Sequence, residues 1–152
     1  MTKLALHGGK PVRDQLLPYG RQYVDENDIS AVCDVLRSDW LTTGPNVSML
    51  ERQFAESVGA RDAVAVRCGT GALLSAVYAA GVQAGDEVIV PVITFAASAN
   101  CVRYLGANVV FIDVCRDTLN MDVAAFEAAI TARTRSVIVV DYSGQPADLD
   151  EI

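Results

Sequence analysis

The run Cys68-Gly69-Thr70-Gly71-Ala72 brings together residue types that can hold a phosphate group. At a helix start the first backbone N–H groups lack intrahelical acceptors, and the partial positive charge there favours an anion. Glycine leaves those amides unhindered, and the Thr70 hydroxyl adds another donor. Farther on, Pro91-Val92-Ile93-Thr94-Phe95 sets an aromatic ring at the start of a second apolar segment. The only lysines are Lys3 and Lys10, both ahead of the first regular element. A cradle for a phosphate-bearing group therefore stands without the amine that would normally anchor a cofactor.

Each of these features has a simpler reading. Gly69-Thr70-Gly71 also suits a tight strand-to-helix turn, with glycine for close packing. The dinucleotide fingerprint needs a third glycine where this chain has Leu74, and a lysine-bearing phosphate loop is excluded because no lysine follows. Phe95 is placed either to stack on a flat ring or to fill the core. In open α/β sheets ligands collect beyond the C-terminal strand ends, the rim that Phe95 shares with Gly69 and Thr70. The loop Ser38-Asp39-Trp40-Leu41-Thr42-Thr43-Gly44-Pro45 offers an indole and hydroxyls suited to a sugar. Packing of Trp40 onto the domain is the alternative.

The elements that must position these residues follow from pattern. Residues 1–24 read as an irregular arm, broken by Gly8, Gly9, Pro11, Pro18 and Gly20. Asp25 caps a helix with Ile29, Val32, Cys33 and Leu36 on one face, and Asn46 a second with the stripe Leu50, Phe54 and Val58, ending near Gly59. From Asp62 onward strand and helix alternate. Strands are expected at 63–66, 87–91, 108–112 and 136–140, and helices at 69–80, 94–105 and after Asp122. That alternation implies right-handed crossovers and a mainly parallel sheet covered on both faces. The closing run Asp148-Leu149-Asp150-Glu151 reads as the opening of a further helix, so the chain is expected to be truncated at Ile152.

Composition narrows the classes. The 152 residues suit one folded domain, and an apolar fraction of 51% with mean hydropathy +0.27 argues against disorder. A net charge of −7 with scattered basic residues disfavours nucleic acid and membrane surfaces as partners. No stretch has the length of a membrane span or the character of a signal peptide, so a cytoplasmic location is expected. Cys33, Cys68, Cys101 and Cys115 are widely spaced and His7 is the only histidine, so no metal site is expected and the thiols read as reduced.

Taken in order, these pieces resemble the pyridoxal-phosphate-dependent sugar aminotransferases of the DegT/DnrJ/EryC1/StrS family. The resemblance runs from Pro18-Tyr19-Gly20-Arg21-Gln22 through Leu41-Thr42-Thr43-Gly44-Pro45, Cys68-Gly69-Thr70-Gly71-Ala72-Leu73 and Gly85-Asp86-Glu87-Val88-Ile89-Val90-Pro91. It continues through Thr94-Phe95 to Val140-Asp141-Tyr142-Ser143-Gly144-Gln145-Pro146-Ala147-Asp148. Singly these motifs are weak, and their order and spacing carry the likeness. The wording is most similar to members that aminate the C4 keto group of a nucleotide-linked deoxysugar. The transaminases forming UDP-4-amino-4,6-dideoxy-N-acetyl-β-L-altrosamine, on the way to pseudaminic acid, are the narrowest match.

The resemblance implies an α/β fold: a three-layer α/β/α arrangement with a mainly parallel sheet. It would be the N-terminal part of the large domain of the fold type I, aspartate aminotransferase-like, transferases. Residues 1–24 would form an arm and 25–152 an incomplete large domain. Gly69, Thr70 and Gly71 would hold the phosphate of pyridoxal 5'-phosphate, and Phe95 would stack on its ring. Tyr19, Asp39, Trp40, Leu41 and Thr42 would match positions contacting the sugar nucleotide, and family members are homodimers that share their active sites. Glutamate is the usual amino donor. The family's cofactor-bonding lysine has no counterpart here, so the chain alone is expected to be inactive. A non-catalytic module for sugar-nucleotide binding or dimerisation is the competing reading. Arg67 and Cys68 depart from the small polar residues usual in the family at these positions.

Overall fold

The computed structural model describes residues 3–18 and 20–152, and these divide into two compact units between Ala63 and Val64. The first unit holds a 3-10 turn, Ala5–His7, and two helices, α1 (Glu26–Arg37) and α2 (Pro45–Val58). α1 begins where expected. The Asp25 carboxylate accepts from the N–H groups of Asn27 and Asp28 at 2.8 and 3.1 Å, while Asp28 accepts from the N–H of Asp25 at 3.0 Å. That reciprocal pair is a capping box.

α2 starts differently from expectation. Gly44 occupies the cap and Pro45 the first helical position, so Asn46 lies inside the first turn. Proline has no N–H to leave unsatisfied there, and its fixed φ is already helical. Gly59 closes the helix at φ +67°, its N–H bonded to the carbonyls of Ala55 and Glu56. The expected apolar stripes are present, yet Ile29, Val32 and Leu36 on α1 and Leu50, Phe54 and Val58 on α2 are exposed.

The second unit carries the sheet. Its elements are α3 (Gly69–Ala79), β1 (Glu87–Pro91), α4 (Ala97–Tyr104), β2 (Asn108–Ile112), α5 (Val123–Ala129) and β3 (Thr134–Val137). All pairings are parallel, in the order β2-β1-β3, so β1 is central. Its apolar run is buried at every position, as expected of a strand covered on both faces. Val88 and Val90 pack with Val77 of α3 and with Cys101 and Val102 of α4. Ile89 points the other way, into Ile112, Met121 and Phe126 of the α5 side. The result is the three-layer α/β/α arrangement that the sequence implies.

Two strand expectations change. Residues 63–66 join no ladder, and Val64 stands 81% exposed. An apolar alternation becomes a strand only beside a partner edge. The fourth strand begins two residues earlier than expected and ends at Val137, because its pairing is fixed at Glu87. The main-chain N–H of Glu87 donates to the carbonyl of Arg133 at 2.8 Å, and Glu87 pairs with Thr134. The register then skips Arg135, so Val88 pairs with Ser136. This bulge sets the Arg135 guanidinium over Gly81, 2.9 Å from where a β-carbon would stand, and Gly81 itself has φ +76°.

Glu87 is a charged residue buried to 6% exposure at the start of the central strand. Its carboxylate accepts from the Thr131 hydroxyl at 2.6 Å and from Nε of Arg133 at 2.7 Å, with a second guanidinium nitrogen also in contact. The Thr131 bond first, and the Arg133 guanidinium next, hold this carboxyl below its ordinary value of 4.5. A depressed carboxyl contributes stability above the unfolded value and loses it as pH falls through the folded one. Acid unfolding followed by circular dichroism should therefore steepen below pH 4.5, and Glu87→Gln should flatten that limb. In the core beside it, Ile89→Ala should cost about 2–5 kcal/mol in a denaturant titration, the usual range for emptying a buried aliphatic site.

Candidate functional site

α3 and α4 both begin on one rim of the sheet. α3 packs along β1 through Val77 and feeds it through the turn at Gln83–Asp86, where the Gln83 amide donates to Asp86 Oδ2 at 2.8 Å. A helix joined to a strand by so short a turn runs antiparallel to it. The start of α3 therefore lies toward the C-terminal end of β1. α4 begins six residues after Pro91, on that same side. The topology thus places Gly69, Thr70, Gly71 and Phe95 on the rim where open α/β sheets take their ligands.

Cys68 is the cap residue of α3, in extended conformation, and its side chain makes no capping hydrogen bond. Within the helix turn the first bond is the Ala72 N–H to the Cys68 carbonyl, at 3.0 Å. Among the described residues the amides of Gly69, Thr70 and Gly71 reach no oxygen acceptor, and those of Gly71 and Thr70 face the Cys68 sulfur. A β-carbon built on Gly69 would meet nothing within 4 Å. Helix-start N–H groups without an oxygen acceptor, a hydroxyl and open space fit a tetrahedral anion and require no side-chain charge.

Cys68 adds electrophile-reactive chemistry at this spot. The Gly71 N–H facing the sulfur holds the thiol below its ordinary range, against a smaller opposing effect of desolvation. The Arg67 charge and the Thr70 N–H add to the lowering. Arg67 is exposed and makes no ion pair among the described residues. Cys101 is the opposite case, buried under α4 with its thiol pushed up by desolvation.

Phe95 is not core. Its ring is 77% exposed, between the end of β1 and the first turn of α4. α4 starts at Ala97, three residues later than expected, because residues 94–96 form a turn with its own bonds. Thr94 Oγ1 and Ser98 Oγ lie 2.7 Å apart, and the Ser98 N–H donates to the Phe95 carbonyl at 3.0 Å. The Thr-x-x-x-Ser spacing was visible in the chain, but nothing in its hydropathy marks it as a turn.

The loop residues belong to the first unit. Trp40 and Leu41 line a cavity of about 430 Å³ with Val35, Ser38, Pro45 and Met49, while Asp39 and Thr42 are exposed and do not line it. Ser38 organises the loop: its hydroxyl donates to the Val35 carbonyl at 2.8 Å and accepts from the Trp40 N–H at 3.2 Å. Gly44 packs so closely on Trp40 that a β-carbon there would come within 2.7 Å of Trp40 Cβ. Trp40 is therefore neither free nor buried, which combines both sequence readings. Tyr19 lies outside the described residues.

Comparison with known proteins decides the family. Residues 22–152 match the model of the DegT/DnrJ/EryC1/StrS aminotransferase family. The chain belongs to that family. Among curated relatives of this aminotransferase-family chain, the spore coat polysaccharide biosynthesis protein SpsC of Bacillus subtilis is 43% identical over 140 residues. Those residues are 92% of this chain and 36% of SpsC. Among solved structures, a proposed sugar aminotransferase of Streptococcus pneumoniae superposes with a TM-score of 0.84 at 36% identity, covering 89% of this chain and 34% of that one. The E. coli GDP-4-keto-6-deoxy-D-mannose-3-dehydratase, with bound hydrated pyridoxal phosphate, gives 0.82 at 31% identity, covering 88% and 36%. This chain thus spans about a third of the length of the relatives it matches.

The thiol environments make a direct prediction. Under limiting iodoacetamide near neutral pH, peptide mass mapping should find Cys68 labelled first and Cys101 last. Arg67→Gln should slow labelling at Cys68 alone, because it removes positive charge from beside the thiolate.

Proposed function

We propose that residues 22–152 carry the phosphate- and ring-binding part of a pyridoxal 5'-phosphate site in a sugar aminotransferase. The observation that carries this reading is the α3 start: amides with no oxygen acceptor, the Thr70 hydroxyl and the open space over Gly69. The proteins similar to this chain include a dehydratase as well as ones named for amino transfer and for polysaccharide synthesis. Family membership alone therefore leaves the reaction open. The 43% identity to SpsC favours polysaccharide synthesis, and the 36% identity to the sugar aminotransferase favours amino transfer.

When bound, the cofactor supplies an aldehyde that accepts and passes on an amino group, and a ring that withdraws electrons. The residues of this chain bind and orient. Gly69, Thr70 and Gly71 grip the phosphate, fixing the group at one end. Phe95 covers one face of the ring and keeps water from it. Asp39, Trp40, Leu41 and Thr42, with Tyr19, contact the sugar nucleotide. The acceptor is a 4-keto deoxysugar linked to a nucleotide, the donor glutamate, the working form a homodimer in the cytoplasm. The altrosamine-forming reaction toward pseudaminic acid is the narrowest form of the proposal. Because Lys3 and Lys10 are the chain's only lysines, the 152 residues by themselves bind cofactor without bonding to it and do not turn over.

Titration with pyridoxamine 5'-phosphate, which needs no lysine, tests the cradle. The chain should bind it saturably and bind phosphate-free pyridoxamine far more weakly. Thr70→Ala should weaken the phosphorylated ligand about tenfold, as expected for one hydrogen bond to a charged group. Equal affinity for the two ligands would sink the phosphate assignment. Borohydride treatment in the presence of pyridoxal 5'-phosphate should leave no covalent adduct on Lys3 or Lys10, and an adduct there would overturn the inactivity. In a protein completed to the length of its relatives, nitrogen from labelled glutamate should appear at C4 of the sugar. Loss of a hydroxyl without nitrogen transfer would replace amino transfer with dehydration.

A further inference from the structure

An exposed phenyl ring at the mouth of a fold is unfavourable by itself, and a phenylalanine next to a core would ordinarily turn inward. Phe95 does not. Its backbone is held by two bonds: Thr94 Oγ1 meets Ser98 Oγ at 2.7 Å, and the main-chain N–H of Ser98 donates to the Phe95 carbonyl at 3.0 Å. Ser98 is only 5% exposed, so its hydroxyl is a buried polar group that needs a partner, and Thr94 is that partner. The Ser98 carbonyl is engaged in turn by the Cys101 thiol at 3.3 Å, tying the same residue to the core. The helix that sequence pattern would start at residue 94 is thereby delayed to Ala97. In a helix begun at 94 the main-chain N–H of Ser98 would bond the carbonyl of Thr94; here it bonds Phe95 instead.

We infer that the Thr94–Ser98 hydroxyl pair is a positioning device that holds the Phe95 ring out on the rim as a stacking platform. The inference rests on the cofactor-stacking reading of Phe95 and adds two residues that act through it. Neither hydroxyl needs to touch the ligand. Ser98 is anchored in the core, Thr94 is tied to it, and the residue between the strand end and the helix is left one backbone geometry. Stacking on a ring already held in place avoids the ordering cost that a mobile side chain would impose on binding.

The pair can be tested apart from the ligand. With 4-fluorophenylalanine incorporated, the chain has four fluorine reporters, at Phe54, Phe95, Phe111 and Phe126, and a Phe95→Leu variant assigns the relevant resonance. Thr94→Val and Ser98→Ala should each shift and narrow the Phe95 signal and leave the other three in place, while Thr94→Ser should keep the original spectrum. Two variants on opposite ends of one bond guard against loss of fold at the buried position. An unchanged Phe95 resonance in both Thr94→Val and Ser98→Ala would overturn the inference. In the second arm, pyridoxamine 5'-phosphate should bind roughly fivefold more weakly to both variants, the size of one lost net hydrogen bond. Inorganic phosphate should bind unchanged. In a Phe95→Ala background Ser98→Ala should have no further effect, because the hydroxyl acts through the ring; an undiminished effect there would also overturn it. Failure of the unmodified chain to bind pyridoxamine 5'-phosphate at all would remove the cofactor reading, and the fluorine spectra would still decide the positioning.

Discussion

The burial of β1 on both faces is the constraint from which the rest of the second unit follows. A parallel strand with neighbours on either side must be covered above and below, and its alternation sends Val88 and Val90 to the α3/α4 layer and Ile89 to the α5 layer. Helices that return over such a strand run against it. Their starts are thereby delivered to one end of the sheet, and with them the glycine turn and the phenyl ring. The site is in this sense a product of the core: the five buried residues of β1 decide where the first amides of α3 emerge.

At that rim the two helices solve the same end problem in different ways. α3 leaves its first amides without an oxygen acceptor, two of them facing only the soft sulfur of Cys68. α4 closes its first turn internally with a pair of hydroxyls and a carbonyl from the residue it displays. One start is left able to receive an anion, and the other is satisfied within itself and offers only an aromatic face. On the reading proposed above, the first start would serve a phosphate and the second a heterocycle.

Much of this was legible in the chain. The spans of β1 and β2 were readable to the residue, because each is an apolar run bounded by glycine turns at 85 and 106. Asp25 and Asp122 announced their helices through side chains that reach the next amides, a local effect that sequence encodes directly. What was not legible depends on partners distant in the chain. The apolar alternation at 63–66 reads as a strand but finds no ladder, and the last strand slides upstream because Glu87 grips Arg133 and Thr131, some 45 positions away. The start of α4 was hidden for a different reason: the Thr94–Ser98 bond is local, but hydropathy does not register it. The glycine-threonine turn at 69–71 was readable as residue types. That its amides reach no oxygen acceptor, and that Phe95 faces solvent, required coordinates.

The skipped Arg135 has a consequence for how the sheet can tolerate change. A bulge absorbs one residue at a fixed place, so β3 cannot creep along β1 without moving that surplus residue into the middle of the ladder. Its guanidinium crosses the space over Gly81, but it is the movable end of a long side chain and can swing aside. What keeps position 81 a glycine is its own backbone at φ +76°, so the residue in the bulge can be exchanged without releasing that position.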